Sequence, residues 1–329
     1  MTRVLINGID GLLGARVAEL LSAEPSVSIL GLAEATPPAP VGRAEYLVAR
    51  LNGRQLCELL RAEGIEVVIH LAFAGADRPA KSREAALQRN VLGSMELLGA
   101  CASAGVRRVL LRSSTRVYGA SPLNPTFIRE DRPVARSSAP GVLRDYVEVE
   151  QFAAKFAARH PELTVVPVRC ASLLGAWSPF VHYLSQPGPR MLVGFDPCLQ
   201  ALHIEDAASG FAMAALADLA GPVNLAADDS LCLSQAIRLA GRQPVALPEP
   251  LVGLSLAMGN PAILGAWPYD IGFLRHSCIA DTGRARAELG WAPTRTAAES
   301  LGAIGANGRA AVSRELAEEA LRAFLSRRS

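Results

Sequence analysis

A strand with an apolar centre, "RVLIN" over residues 3–7, runs directly into "GIDGLLG" and then into a helical pattern over 12–22. A strand that ends on closely spaced glycines and restarts as a helix commits the chain to β-turn-α geometry, with its next strand expected to lie parallel. Gly8 permits the tight turn. Gly11 lets the backbone approach a pyrophosphate, which would rest on the helix N-terminus, where amide N–H groups and the dipole favour an anion. Gly14 allows the helix to pack close to the strand. Asp10, Leu12 and Leu13, set among these glycines, complete the candidate cofactor turn. Glycine turns are common and can be purely structural; the strand–turn–helix setting favours the anion-binding reading.

The same alternation continues. Strands are expected over 27–33, 45–51, 66–72, 107–114 and 164–170, with helices over 53–63, 84–104 and 145–159. Unbroken apolar runs such as "VVIHLA" suit strands covered on both faces. The pattern predicts an α/β fold, a doubly wound parallel sheet. After residue 170 proline and glycine become frequent and the strands less regular, although "GPVNLAA" (221–227) reads as one strand returning to the sheet. We therefore expect a dinucleotide-binding domain over 1–170 and a mainly substrate-binding domain over 171–329.

Composition narrows the function classes. With 329 residues, 50% of them hydrophobic, the chain can bury a large core. Its net charge of +2 is spread without a basic block, which argues against a nucleic-acid partner. No apolar run is long enough to span a bilayer, and the first residues form a strand rather than a signal peptide. A cytoplasmic protein is expected. The six cysteines form no C-x-x-C pair and read as small buried apolar residues in a reducing compartment. Lysine occurs only at 81 and 155 while arginine is abundant, a bias that suggests a bacterial source.

An acid about 20 residues beyond the glycine turn should hold the adenosine ribose hydroxyls, and Glu34 stands at that distance from Gly14. It is displaced by one residue from the strand end at Ala33, so a solvated loop acid is the alternative. No arginine or lysine adjoins it in sequence to receive a 2′-phosphate, which favours NAD over NADP.

Several segments now point the same way: "NGIDGLLG", "VVIHLAF", "NVLGSMELLGACASAGVRRVLLRSSTRVYG", "DYVEVE", "ALHIEDAA" and "DTGRARAELGWAP". Together they resemble the extended short-chain dehydrogenases/reductases of the NAD-dependent epimerase/dehydratase group, over almost the whole length. The resemblance implies a Rossmann-type fold with a smaller C-terminal substrate-binding domain, a nicotinamide cofactor, a small-molecule substrate, no metal, and a homodimer formed through the 84–104 and 145–159 segments. It gives Ser114 a hydrogen bond to the reacting oxygen; capping of the following turn is the plainer role. It makes Tyr146 the acid/base, places Leu71, Ala72, Phe73 and Ser113 along the cofactor with Leu51 near the adenine, and has Asn90 brace the site through the backbone. Arg169 matches an arginine that either touches substrate or forms a structural ion pair. His203 and Asp206 would orient a loop and cap a helix.

The chain departs from the family at three positions. Asn7 stands for the usual Thr, and Arg50 for an Asp that touches adenine; the guanidinium could stack on the ring or point to solvent. Most important, Glu150 stands where a Lys follows the Tyr by four residues. That Lys lowers the Tyr pKa from its usual value of about 10 and donates to the nicotinamide ribose. Residues four apart share a helix face, so Glu150 should occupy the same place. There a carboxylate could act as a general base, accept from the ribose hydroxyls, or make only a structural contact. Lys155, nine residues on, should point to the opposite face.

The substrate side is expected between the sheet's C-terminal edge and residues 174–195 and 246–276. Trp177, Arg190, Arg275 and His276 are candidates for it. "PLVGLSLAMGNPAILGAW" (250–267) reads either as a helix on the core or as an apolar pocket wall. Three function classes follow. The first is an epimerase/dehydratase-like enzyme working by hydride transfer on a nucleotide sugar, an isomerase with transient oxidoreductase chemistry. The second is a reductase or dehydrogenase of an apolar carbonyl compound. The third is a dinucleotide-binding protein with altered or no redox turnover.

Overall fold

The computed structural model describes residues 1–37, 41–76, 80–135 and 141–306. Seven strands form the main sheet: β1 (Thr2–Asn7), β2 (Val27–Ala33), β3 (Glu45–Val48), β4 (Val67–His70), β5 (Arg108–Ser114), β6 (Thr164–Cys170) and the strand Val223–Leu225. Their order is Val223–Leu225, β6, β5, β4, β1, β2, β3, and every pairing is parallel. The order runs outward in both directions from the β1–β4 junction. This is the topological switch point of a doubly wound sheet, where the carboxyl ends of the strands open a crevice.

Alternation along the central strands feeds two cores. Val4 and Ile6 of β1, Val67 and Ile69 of β4 and Leu110 of β5 face one layer; Leu5, Val68, Val109 and Leu111 face the other. Helix α1 (Leu12–Ser22) covers the first layer beside the helix Ile204–Leu216, burying Leu13, Val17 and Leu21. Helices α2 (Gly53–Ala62), α4 (Gly93–Ala104) and α5 (Val142–Ala157) cover the second. Asn52 caps α2 in a reciprocal pair with Gln55.

The long helix expected over 84–104 is broken. Helix α3 (Arg83–Leu87) passes into a π turn over Gln88–Leu92 before α4 begins. An extra residue per turn rotates Asn90 fully inward, a usage typical of functional sites. Strand β3 is also shorter than expected, ending at Val48 rather than residue 51.

From residue 172 on, outside the main sheet, the chain makes short pairings: Ser172–Leu174 with Ala201–His203, Arg190–Leu192 with Val245–Leu247, and, antiparallel, Cys198–Leu199 with Leu231–Cys232. The apolar segment 250–267 packs onto the core in part, through Val252, Leu264 and Trp267. Its helix Glu249–Ala257 buries only Val252, leaving Leu251, Leu254 and the following Met258 exposed. The cysteines are not uniformly buried either, since Cys57, Cys198 and Cys232 are half-buried. No helix among the described residues is long and apolar enough to cross a membrane.

Candidate functional site

Three adjoining clefts follow the carboxyl edge of the sheet. The first, of about 640 Å³, lies beside β2 and β3 and is lined by Asn7, Ala33, Glu34, Arg50, Leu51, His70, Lys81 and Arg89, among others. The second, of about 210 Å³, lies over the glycine turn. Gly8, Asp10, Gly11, Leu12, Leu71, Ala72 and Phe73 line it, with Arg89, Ala176 and Trp177 opposite. Ala72 and Arg89 border both clefts. The third is small, about 60 Å³, and brings together Ser113, Ser114, Tyr146, Arg112, Ser172 and Tyr269 against Val142, Leu143, Leu173 and Pro179.

The glycine turn is packed too tightly for side chains at two of its glycines. A Cβ on Gly8 would lie 2.8 Å from the Ala72 nitrogen, and one on Gly14 would lie 2.2 Å from the Gly8 carbonyl oxygen. Neither side chain could be accommodated without moving backbone. Gly11 is the N-cap of α1, no side chain caps the helix, and its first turn carries no acid. Its leading N–H groups face the second cleft, which Asp10 also borders, and the helix dipole there favours an anion. Leu13, by contrast, points into the core and lines no part of these clefts.

At the adenosine end a correction is needed. Glu34 is not without basic neighbours: Arg50 reaches its carboxylate at 3.0 Å and Arg89 at 2.8 Å. The sequence neighbourhood conceals this, because Arg50 arrives from the end of β3 and Arg89 from the π turn. The expectation that a 2′-phosphate would meet no arginine is therefore wrong. Lys81, whose reach could not be judged from sequence, lines the same cleft.

A polar chain links the two ends. Asn7 Nδ2 donates to His70 Nδ1 at 3.0 Å, so His70 Nε2 carries the proton it gives to Ser94 Oγ at 2.9 Å, and Ser94 donates to the Asn90 carbonyl. Burial, with Arg89 adding to it, depresses the His70 pKa to about 3, keeping the ring neutral. Asn90 braces the loop after β4. Its Oδ1 accepts from the Ala74 nitrogen at 2.7 Å and its Nδ2 donates to the Ala74 carbonyl at 3.0 Å. The same Nδ2 donates to Asp145 at 2.7 Å, and Arg83 grips both oxygens of that carboxylate. Asp145 is wholly buried and immediately precedes Tyr146, so the tyrosine is carried on a helix turn anchored to the π turn. The Tyr146 ring packs on Phe73, centroids 4.7 Å apart. Asp145, Arg83, Arg89 and His70 were not singled out from sequence. A charged residue at a buried helix position was the available signal, because such a group requires a partner.

Ser114 borders the third cleft and also accepts from the Arg116 nitrogen at 3.3 Å, so it both caps the turn after β5 and faces Tyr146's cleft. Glu150 lies elsewhere. It is buried beneath that cleft and lines none of the three. Arg169 binds it through Nε, 3.1 and 3.0 Å from the two oxygens, and through Nη2 at 2.6 Å, while Ser113 donates to Oε1. Arg169 also donates to Tyr118 Oη at 2.8 Å, and Tyr118 donates to Asn224 at 2.7 Å. Burial works against the Arg169 charge, yet Glu150 and Tyr118 outweigh it and its pKa rises. Burial pushes the Tyr118 phenol up to about 12 against the pull of Arg169. The carboxylate thus has its acceptor sites filled by protein.

The remaining substrate candidates are dispersed. Trp177 borders the glycine-turn cleft rather than the Ser114 cleft. Arg190 packs beside Gly265, and Arg275 pairs with Glu249 at 2.5 Å; neither borders these clefts, a correction to their expected place. Arg169 is held as described. His203 caps the helix Ile204–Leu216, accepting from the Glu205 nitrogen at 3.3 Å, and Asp206 accepts from Thr294 and Arg295, so both have structural work. Lys155 is exposed on α5, away from Tyr146.

A parallel seven-stranded sheet that reverses at the β1–β4 junction beside an uncapped glycine turn is a Rossmann-type α/β fold. The chain belongs to the NAD dependent epimerase/dehydratase family, whose model matches residues 4–225. An uncharacterized protein of Mycobacterium tuberculosis is 32% identical over 322 residues, covering 91% of this chain and 82% of that protein. Among solved structures, a UDP-glucose 4-epimerase with UDP-glucose from Thermotoga maritima superposes with a TM-score of 0.71 at 16% identity, covering 94% of this chain and all of that one. MoeE5 in complex with UDP-glucose and NAD gives 0.67 at 22% identity, covering 95% and 99%. At these identities the two structures speak to the fold.

Proposed function

We propose that the chain binds NAD(H) along the three clefts and transfers hydride at a carbinol or carbonyl carbon, with a nucleotide sugar as substrate. The observation that carries this reading is the meeting of Ser114 and Tyr146 in one cleft, at the end of a trail that begins at the glycine turn. The family membership and the UDP-glucose-bound neighbours support the substrate class.

A bound nicotinamide would supply the hydride acceptor. The chain's own residues do the rest. The first turn of α1 holds the diphosphate, and Phe73 and Tyr146 wall the nicotinamide end. Ser114 Oγ orients the reacting oxygen and Tyr146 exchanges a proton with it. Tyr146 serves as a donor to a developing alkoxide. Glu150 is a positioning residue: through Ser113 it fixes the end of β5 that presents Ser114.

The size and walls of the third cleft favour a second reading. About 60 Å³, walled on one side by Val142, Leu143, Leu173 and Pro179, suits a small carbonyl compound with an apolar face better than a hexose. The experiment that separates the two is calorimetry with NAD and NADH, followed by NMR of UDP-glucose incubated with the NAD-loaded protein and by NADH consumption with small ketones. Ser114→Ala is expected to lower turnover by about 100-fold with the fold intact. Unchanged turnover would remove Ser114 from the site, and no uptake of either dinucleotide would overturn the whole reading.

A further inference from the structure

Cys198 and Cys232 face each other across the antiparallel pair formed by Cys198–Leu199 and Leu231–Cys232. The ladder defines which kind of pair they are. Leu233 N donates to the Pro197 carbonyl at 3.0 Å, one residue outside each cysteine, while Cys198 N turns away to Ser277 Oγ at 2.9 Å. Cys198 and Cys232 therefore occupy a non-hydrogen-bonded position, where opposed Cα atoms stand about 4.5 Å apart and side chains come closest. That spacing falls within the roughly 4.4–6.8 Å over which a disulfide closes. Both are free thiols and neither is fully buried. The register is pinned from outside the pair: Asp196 holds the start of the helix Leu233–Leu239 by accepting from Ser234 N at 2.9 Å and Ser234 Oγ at 2.7 Å.

From this geometry we infer that Cys198 and Cys232 form a reversible cross-strand disulfide under peroxide. One cysteine sulfur attacks a peroxide oxygen; the O–O bond breaks, hydroxide leaves and takes up a proton as water, and the sulfur becomes a sulfenic acid. The facing sulfur then attacks it; the S–O bond breaks and a second water departs. The two thiols lose two electrons and two protons, and hydrogen peroxide is reduced to two waters. The bridge joins residues on either side of the helix Ile204–Leu216 and the edge strand Val223–Leu225. It involves no residue of the three clefts and stands whether or not the function proposed above is correct.

The test uses the intact protein. It is treated with hydrogen peroxide in native buffer, denatured with alkylating agent, digested and mapped by mass spectrometry without reduction. The expected product is a Cys198 peptide joined to a Cys232 peptide, about 2 Da lighter than the sum of the two and released by dithiothreitol. The other four cysteines should be alkylated. In Cys198→Ser the joined peptide should vanish and a dimedone adduct appear on Cys232. Recovery of both residues alkylated overturns the inference, as does a Cys57–Cys101 bridge formed while Cys198 and Cys232 stay free.

Discussion

Glu34 and Glu150 stand at opposite ends of the trail of clefts, and each meets arginine, but burial makes them different objects. Glu34 is about a quarter exposed and shares its carboxylate between Arg50, which is largely in solvent, and Arg89. Solvent screens such a pair, so it contributes little to stability and its members can be drawn to a ligand. Glu150 and Arg169 are both almost fully buried, joined through two nitrogens and tied further to Ser113 and Tyr118. There the cost of desolvation is large and the partners hold one another in place. The same two residue types thus make a solvent-screened, exchangeable pair at one end and a fixed platform at the other.

The largest expected effect comes from breaking the buried pair. Arg169→Ala leaves Glu150 as an uncompensated charge and should destabilise the fold by about 3–5 kcal/mol in urea unfolding. The paired change Glu150→Met with Arg169→Met should recover most of that loss, since removing both charges removes the desolvation cost. Recovery would establish the platform as a coupled unit; independent, additive losses would deny it. Glu150→Lys is the sharper version. It installs the lysine that the sequence resemblance leads one to expect, yet places an ammonium against Arg169, so it should destabilise the protein and raise no turnover. A stable, more active Glu150→Lys enzyme would mean that position 150 faces the nicotinamide after all.

A middle-sized effect is expected from His70, which links Asn7 beside the glycine turn to Asn90. Its folded pKa is depressed from 6.5 to about 3 by burial, so the neutral ring is the folded form. The sign follows: its contribution is fully present above pH 6.5 and is lost as pH falls from there toward 3, because the unfolded chain takes up the proton first. Between pH 7 and pH 5 this amounts to a loss of about 2 kcal/mol. His70→Gln should show a shallower decline over that interval by urea midpoint, and an unchanged decline would assign it to other groups.

The two ends also differ in how far they could be read from sequence. The glycine turn was legible because its work is local: β1, the turn and α1 are contiguous, and Gly8, Gly11 and Gly14 act through backbone geometry. Strands β2 and β6 fall where their apolar runs place them. The π turn was not legible, since apolar spacing over 84–104 is equally compatible with one continuous helix. At Glu150 the helical spacing identified the face but not what lies behind it. Arg169 comes from β6 and Ser113 from β5, and only the fold sets them against α5. The signal that existed was Arg169 itself, a cation in the otherwise apolar run "TVVPVRC", which must find an anion if the strand is buried. The arginines around Glu34 were hidden for the same reason, arriving from β3's end and from the π turn.

The smallest effect on stability, and the one that best separates the two arginine sites, is expected at Glu34. Glu34→Gln removes a screened surface charge and should change the unfolding free energy by less than about 0.5 kcal/mol. Its effect on binding should be of another kind. The carboxylate that repels a 2′-phosphate would be gone while Arg50 and Arg89 remain with their donors released. Calorimetry should then show the affinity for NADP rising relative to NAD by about 10-fold, an energy of about 1.4 kcal/mol. Arg89→Ala in the Glu34→Gln background should reverse that gain, since the guanidinium is the group expected to take up the phosphate. A ratio unmoved by either change would mean that the adenosine ribose does not lie against Glu34, and the first cleft would have to be reassigned.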